Sequence, residues 1–179
     1  EHNAVIKERR NGQGAEVAGV TVEGKVAYLS LVQLQAGVTW QKSHYTRPEK
    51  WSKDSSVPAE KRIFRTPDWY GYFTATYSPV KPLNIALSGT YTGSMIVQHM
   101  KGYIPKDMAV TTPDFFDMNL KISYDFSLYK FITLQLNAGV QNIFNAYQRD
   151  FDQGKERDSG YIYGPSMPRS YFAGAKLMF

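Results

Sequence analysis

The sequence predicts an all-β fold, a transmembrane antiparallel β-barrel with about seven or eight strands in view. Three observations carry that prediction. Apolar side chains recur at every second position in seven separate segments. The connections alternate between short turns and long polar loops. Aromatic residues gather where the segments end. A strand sends alternate side chains to opposite faces, whereas a helix would scatter the same two sets around its axis. Short turns on one side and long loops on the other describe an outer-membrane barrel.

Composition narrows the class further. The 179 residues suffice for one domain or a piece of one. With 13 Tyr, 10 Phe and 3 Trp the chain is too aromatic to stay solvated and disordered. The absence of Cys excludes disulfides, iron–sulfur clusters, thiolate zinc sites and a Cys nucleophile. No run of 18 apolar residues suggests a transmembrane helix. A mean hydropathy of −0.42 does not count against a barrel, whose strands are apolar on one face only. The net charge of +5 comes without an aromatic–basic motif on one face, so nucleic acid is not an expected partner.

The elements follow in order. Residues 18–28 put Ala18, Val20, Val22, Gly24, Val26 and Tyr28 on one face and Thr21, Glu23 and Lys25 on the other. Residues 32–41 set Val32, Leu34, Ala36, Val38 and Trp40 against Gln33, Gln35, Thr39 and Gln41. Residues 69–78 repeat the pattern with Trp69, Gly71, Phe73, Ala75 and Tyr77. The segment 83–98 reads as one long strand, its apolar face running from Leu83 through Tyr91 to Met95 and Val97. Residues 115–126 carry Phe116, Met118, Leu120, Ile122, Tyr124 and Phe126. Residues 131–141 carry Ile132, Leu134, Leu136, Ala138 and Val140, and residues 170–179 carry Tyr171, Ala173, Ala175, Leu177 and Phe179. The opposite faces hold mostly Thr, Ser, Asn, Gln, Asp and Lys, as a wet lumen requires.

Segments 44–67, 99–113 and 146–168 are the long loops, with seven of the nine Pro. Tyr28, Tyr77, Tyr124, Phe126 and Phe179 lie toward the short turns, and Trp40, Trp69, Phe116 and Tyr171 toward the long loops. Two such girdles mark the two membrane interfaces.

Chemistry-bearing residues are sparse. His2, His44 and His99 lie far apart in or near loops, the pattern of solvated histidines rather than a metal set. Asp150, Asp152, Glu156 and Asp158 could surround calcium but lack a regular spacing, and a solvated charged loop is the plainer reading. Arg47, Lys50, Lys53, Lys61, Arg62 and Arg65 concentrate in the first long loop, where they could meet lipopolysaccharide phosphates or simply keep the loop soluble. Asp117 and Asp125 share a strand face but stand roughly 27 Å apart, too far for a catalytic dyad, and Lys121 lies between them. No enzyme, metal or cofactor is expected.

The last long loop offers Arg149, Asp150 and Asp152, then Tyr161 and Tyr163, with Gly160, Gly164, Pro165 and Pro168 to fix turns. Binding residues collect on loops carried by rigid scaffolds. These five are therefore the candidate ligand contacts. The competing reading makes Tyr161 and Tyr163 an extension of the final hairpin.

The chain ends on Phe179, with Leu177 two before it and Gly174 five before it. This looks like the targeting signal that the barrel-assembly machinery reads, although Phe172 departs from its usual polar position. Gly139-Val-Gln-Asn-Ile-Phe-Asn-Ala-Tyr147 and Pro168-Arg-Ser-Tyr-Phe-Ala-Gly-Ala-Lys-Leu-Met-Phe179 resemble the closing strands of TonB-dependent receptors. Gly12-Gln13-Gly14-Ala15-Glu16-Val17 is similar to the family's Gly-x-Glu strand start. The resemblance implies a barrel of about 22 strands around an N-terminal plug. It implies import of a scarce nutrient, such as a siderophore, cobalamin or glycan, with energy passed from TonB. No plug is recognisable in residues 1–179, so the expectation is the C-terminal portion of such a receptor in the outer membrane. Its expected partners are lipid and lipopolysaccharide, the rest of its own barrel and plug, TonB through that plug, and the assembly machinery. An autonomous small barrel with an adhesive or structural role is the alternative, and a soluble lipid-binding barrel is a third.

Overall fold

In the computed structural model, residues 12, 14–165 and 167–179 are described. Counting strands back from Phe179 makes Glu1–Asn11 the tail of an extracellular loop or a frayed eighth strand; that stretch lies outside the described residues, as does His2. Among the described residues ten strands form: β1 Ala15–Tyr28, β2 Val32–Glu49, β3 Glu60–Arg62, β4 Trp69–Val80, β5 Leu83–Thr92, β6 Ile96–His99, β7 Met108–Thr111, β8 Phe115–Tyr129, β9 Ile132–Gln141 and β10 Ser170–Met178. The main sheet is antiparallel in the order β1-β2-β4-β5-β8-β9-β10, with β3 added to the outer end of β2. Among the described residues β1 and β10 are its edges, so the sheet is an open segment of a barrel.

Pairing register shows why the alternation is so consistent. Val22 faces Val38, which faces Gly71, then Tyr91, then Phe116, so one apolar row crosses five strands. Ile85, Ile122, Ala138 and Ala173 make a second row. Because the side-chain period is two, a slip of one residue would turn each row to the other face. This face is left bare: Val22 is 63% exposed and Ile122 43%. No helix among the described residues is long and apolar enough to cross a membrane.

The opposite face is tied by polar side chains. Thr21 and Thr39 hydroxyls lie 2.9 Å apart, Gln35 donates to Tyr72, whose hydroxyl donates to Glu23, and Gln135 donates to Asp125 at 2.8 Å. Three glycines sit beneath aromatic rings on a neighbouring strand: Gly89 under Phe73, Gly37 under Tyr72 and Gly139 under Phe172. A ring laid over a cross-strand glycine covers backbone that would otherwise be bare. This accounts for Phe172 on the polar face, since its ring occupies the space a Gly139 side chain would need.

The short turns fall where expected, and Leu29 adopts a positive φ of 51° in the first of them. The main correction concerns residues 83–98. The strand stops at Thr92, and Ile96–His99 instead pair with Met108–Thr111 as a separate hairpin. Met95 and Val97, assigned by parity to the lipid face, are buried, with Val97 at 0% exposure. Residues 99–113 are thus partly strand, and β2 runs eight residues past Gln41 into the first loop.

Candidate functional site

The three long loops fold together above the sheet. Their centre is apolar: Met95, Val97 and Tyr161 are buried against one another, with Val110 and Tyr163 packed alongside. Each such side chain contributes ~1.5–3 kcal/mol when fully withdrawn from water. β6 and β7 therefore exist because loop three covers them. A two-stranded hairpin alone is marginal.

Polar contacts then fix the register of one loop on another. The His99 ring stacks on Tyr161, with centroids 3.7 Å apart and planes 7° apart. Its Nε2 lies 2.9 and 3.0 Å from the two oxygens of Asp152, and both side chains are almost completely buried. Asp152 also accepts the backbone N–H of Asp158. Asp158 in turn accepts from the N–H groups of Met100 and Gly160. From the first loop, Arg65 donates to the carbonyls of Ile162, at 2.7 Å, and Gly160. Its own N–H reaches the carbonyl of Ile96. Ser52 donates to Asp107 at 2.5 Å, joining the first loop to the second. That bond and the N–H of Lys101 hold the Asp107 carboxyl below the usual range.

The five candidate contacts divide. Asp150 accepts the hydroxyls of Tyr161 at 2.8 Å and Tyr163 at 2.6 Å. Burial pushes its carboxyl up, but the hydrogen bonds from Tyr163 and Tyr161 outweigh that and hold it low. Burial, reinforced by the Asp150 charge, pushes the Tyr161 hydroxyl up to about 12 and raises Tyr163 as well. Asp152 faces His99 rather than solvent. Arg149 is exposed and lies over the Tyr147 ring at 5.2 Å. Asp150, Tyr161 and Tyr163 are thus brought together, Asp152 is bonded to the ring nitrogen of Tyr161's stacking partner His99, and Arg149 is exposed.

One alternative weighed from sequence does not appear. Tyr161 and Tyr163 belong to no strand, so they do not prolong the last hairpin. They are held instead by fully buried Gln148, which donates to the Tyr161 carbonyl and accepts from the Tyr163 N–H. No group of three His, Cys, Asp or Glu suited to a metal occurs among the described residues.

Sequence reasoning passed over His99, Gln148 and Asn142. Asn142 and Asn145 both take positive φ, which Asn tolerates better than most residues. The Asn142 side chain is buried, donates to the carbonyls of Ala146 and Met167, and accepts from the Ala146 N–H. The Asn-Ile-Phe-Asn stretch is therefore the hinge that leads β9 into the last loop. Its sequence signal was visible, but not its purpose.

Beneath the last loop, on the polar face of the sheet, lie two adjacent cavities of about 370 and 240 Å³, and Asp117 lines both. Asp117 ends a row formed with Glu23, Gly37, Tyr72 and Thr90. Its Oδ1 is buried and has no hydrogen-bond partner among the described residues.

No protein-family model and no curated protein matches the chain. Solved structures do. The ferric-catecholate import receptor Fiu from K12 E. coli superposes over 92% of this chain and 21% of its own, with a TM-score of 0.62 and 21% identity. The FpvAI receptor of the FpvAI–pyocin S2 complex superposes over 92% of this chain and 19% of its own, with a TM-score of 0.61 and 15% identity. Both neighbours are TonB-dependent receptors, and the fold is that of a barrel segment of such a receptor. The chain spans about a fifth of the length of each.

Proposed function

We propose that the chain is the C-terminal barrel portion of a TonB-dependent receptor that imports a scarce nutrient, such as a siderophore, cobalamin or glycan, across the outer membrane of a Gram-negative cell. One observation carries the reading. Seven long strands turn a continuous apolar face outward, with short turns at one end and three interlocked loops at the other. A transporter needs a barrel that is stable in lipid and a mouth shaped to hold a ligand. The likeness to two receptors of this kind supports the same assignment. The open edges of the described sheet favour a piece of a larger barrel over the small autonomous barrel.

In this reading the ligand meets the exposed rim of loop three. Arg149, Asp150 and Tyr163 contact it, while Asp152 and Tyr161 hold the rim's shape from within. The plug, and TonB acting through it, belong to the rest of the receptor. Exposed basic residues of the first loop, Arg47, Lys50, Lys53, Lys61 and Arg62, meet lipopolysaccharide phosphates. Gly174, Leu177 and Phe179 serve the assembly machinery, and Phe179 stands 92% exposed at the sheet edge. No catalysis is assigned.

The test is a deletion of the full parent gene followed by growth on single scarce nutrients with and without TonB. A TonB-dependent growth defect on one nutrient, restored by the parent gene, is expected. Equal growth on all nutrients, with a defect in surface attachment instead, would return the adhesive alternative.

A further inference from the structure

We propose that Asp117 marks a binding subsite for a compound carrying a primary ammonium group beside a hydrogen-bond acceptor, inside the mouth of the lumen and beneath the last loop. The proposal deepens the receptor reading and rests on it, because only in a receptor is this face an aqueous path.

The first support is an unanswered carboxylate. Asp117 makes no hydrogen bond or ion pair with any described residue; the residue is half-buried, and of its two oxygens Oδ1 is closed off from solvent. Buried carboxylate oxygens in folded proteins have partners, so an exception needs a reason. A carboxylate can only accept, and the partner that answers both its valence and its charge is a cationic N–H donor. No described residue supplies one, and along β8 the nearest cation is Lys121, roughly 13 Å away at strand rise.

The second support is the chemistry of the cavity walls. The larger cavity, about 370 Å³, is lined by Asp117, Asn119, Gln141, Asn142 and Ser170, roofed by Pro165 and Met167. Asn142 is consumed by the hinge. Asn119 uses its oxygen on the Asn142 N–H, and Gln141 uses its oxygen on the Ser170 hydroxyl. Their amide nitrogens donate to no described residue. One buried acceptor without a described partner thus stands beside two amide donors, on half-buried Asn119 and exposed Gln141, that are not committed to another described residue. An amine next to a hydroxyl or carbonyl, as in an amino sugar or an amino acid, answers both.

The third support is access. The smaller cavity continues past Asp117 to Thr90, Thr92, Phe115 and Tyr163. Tyr163 also belongs to the Asp150 group at the rim. A ligand bound there would touch the rim and the subsite through one residue.

The experiment uses the full-length parent receptor purified in detergent. D-glucosamine is the probe, and N-acetyl-D-glucosamine is its uncharged match. Calorimetry should show glucosamine binding that weakens with salt, with the acetylated sugar at least tenfold weaker. Asp117→Asn should weaken glucosamine about tenfold while the ligand-free melting temperature stays or rises. Three outcomes overturn the proposal: no glucosamine binding, equal binding by Asp117→Asn, or a lower ligand-free melting temperature with binding unchanged. The last would give Asp117 to a contact within the receptor itself. Failure of the receptor reading shows separately, as the absence of a heat-modifiable barrel from outer membranes carrying the parent gene.

Discussion

His99 and Tyr161 lie flat against each other across 62 residues of sequence, their ring centroids 3.7 Å apart. That stack joins the β6–β7 hairpin to the last loop. The Asp152 carboxylate bonds the His99 ring, and Met95 and Val97 are buried with Tyr161. The loops above the barrel therefore have a small core of their own, separate from the sheet.

The first prediction follows from that separation. His99→Ala in the full receptor removes the stack, worth about 0.5–1.5 kcal/mol. It also removes one of two partners of the buried Asp152 carboxylate, worth about 1.5–3 kcal/mol for a charged hydrogen bond, and leaves the Asp158 N–H. Backbone amides of residues 148–163 should exchange at least tenfold faster, while those of β4, β5 and β8 keep their protection. Uniform acceleration across the sheet would refute a separate loop core.

The pH response of the same loop has two limbs. Asp150 is held below its ordinary value of 3.8 by the two tyrosine hydroxyls, against the opposing push of burial. A depressed carboxyl stabilises above its unfolded pKa, and the contribution is lost as pH falls through the folded value. Loop order should thus be full above about pH 4 and fade in stronger acid. Tyr161, raised from 10.0 to about 12 mainly by burial, works in the opposite sense. Its contribution is full below pH 10 and is lost as pH rises toward 12. Tyrosinate absorbance of wild type against Tyr161→Phe, followed from pH 9 to 12.5, checks this limb. A Tyr161 titration near 10 would count against its burial.

The two faces of the sheet should respond oppositely to one charge. Ile122 lies in the middle of β8 between Ile85 and Ala138 on the bare apolar face. Ile122→Arg places a cation in lipid near mid-membrane, at about 2–4 kcal/mol. Surface levels of the full receptor should drop sharply. Gln135→Arg keeps company with Asp125, the present partner of Gln135, and should assemble normally. Equal damage from both would overturn the lipid and lumen assignment.

Residues 12–179 alone should not form a stable monomer. β1 and β10 expose unpaired backbone donors and acceptors, which cost several kcal/mol per group in lipid. Size-exclusion chromatography with light scattering in detergent should show aggregates or multimers. A monodisperse monomer with discrete channel conductance would contradict the open-sheet reading.

The sequence by itself determined the barrel. Alternation in residues 18–28, 32–41, 69–78, 115–126, 131–141 and 170–179 placed every paired row on its correct face, because a strand's two faces follow from nearest neighbours and from the two solvents they meet. It also located the short turns and the long loops. Only tertiary structure decided where parity stops meaning lipid. Met95 and Val97 continue the period of β5 but turn away after Thr92, because Tyr161, more than sixty residues later, offers them a dry surface. Arg65 looked like one more soluble cation until the carbonyls of Gly160 and Ile162 came within its reach. His99 looked solvated until Asp152 and Tyr161 enclosed it. Contacts of that range leave no period in the chain. They depend on which loops the pairing of the open sheet brings to the same end.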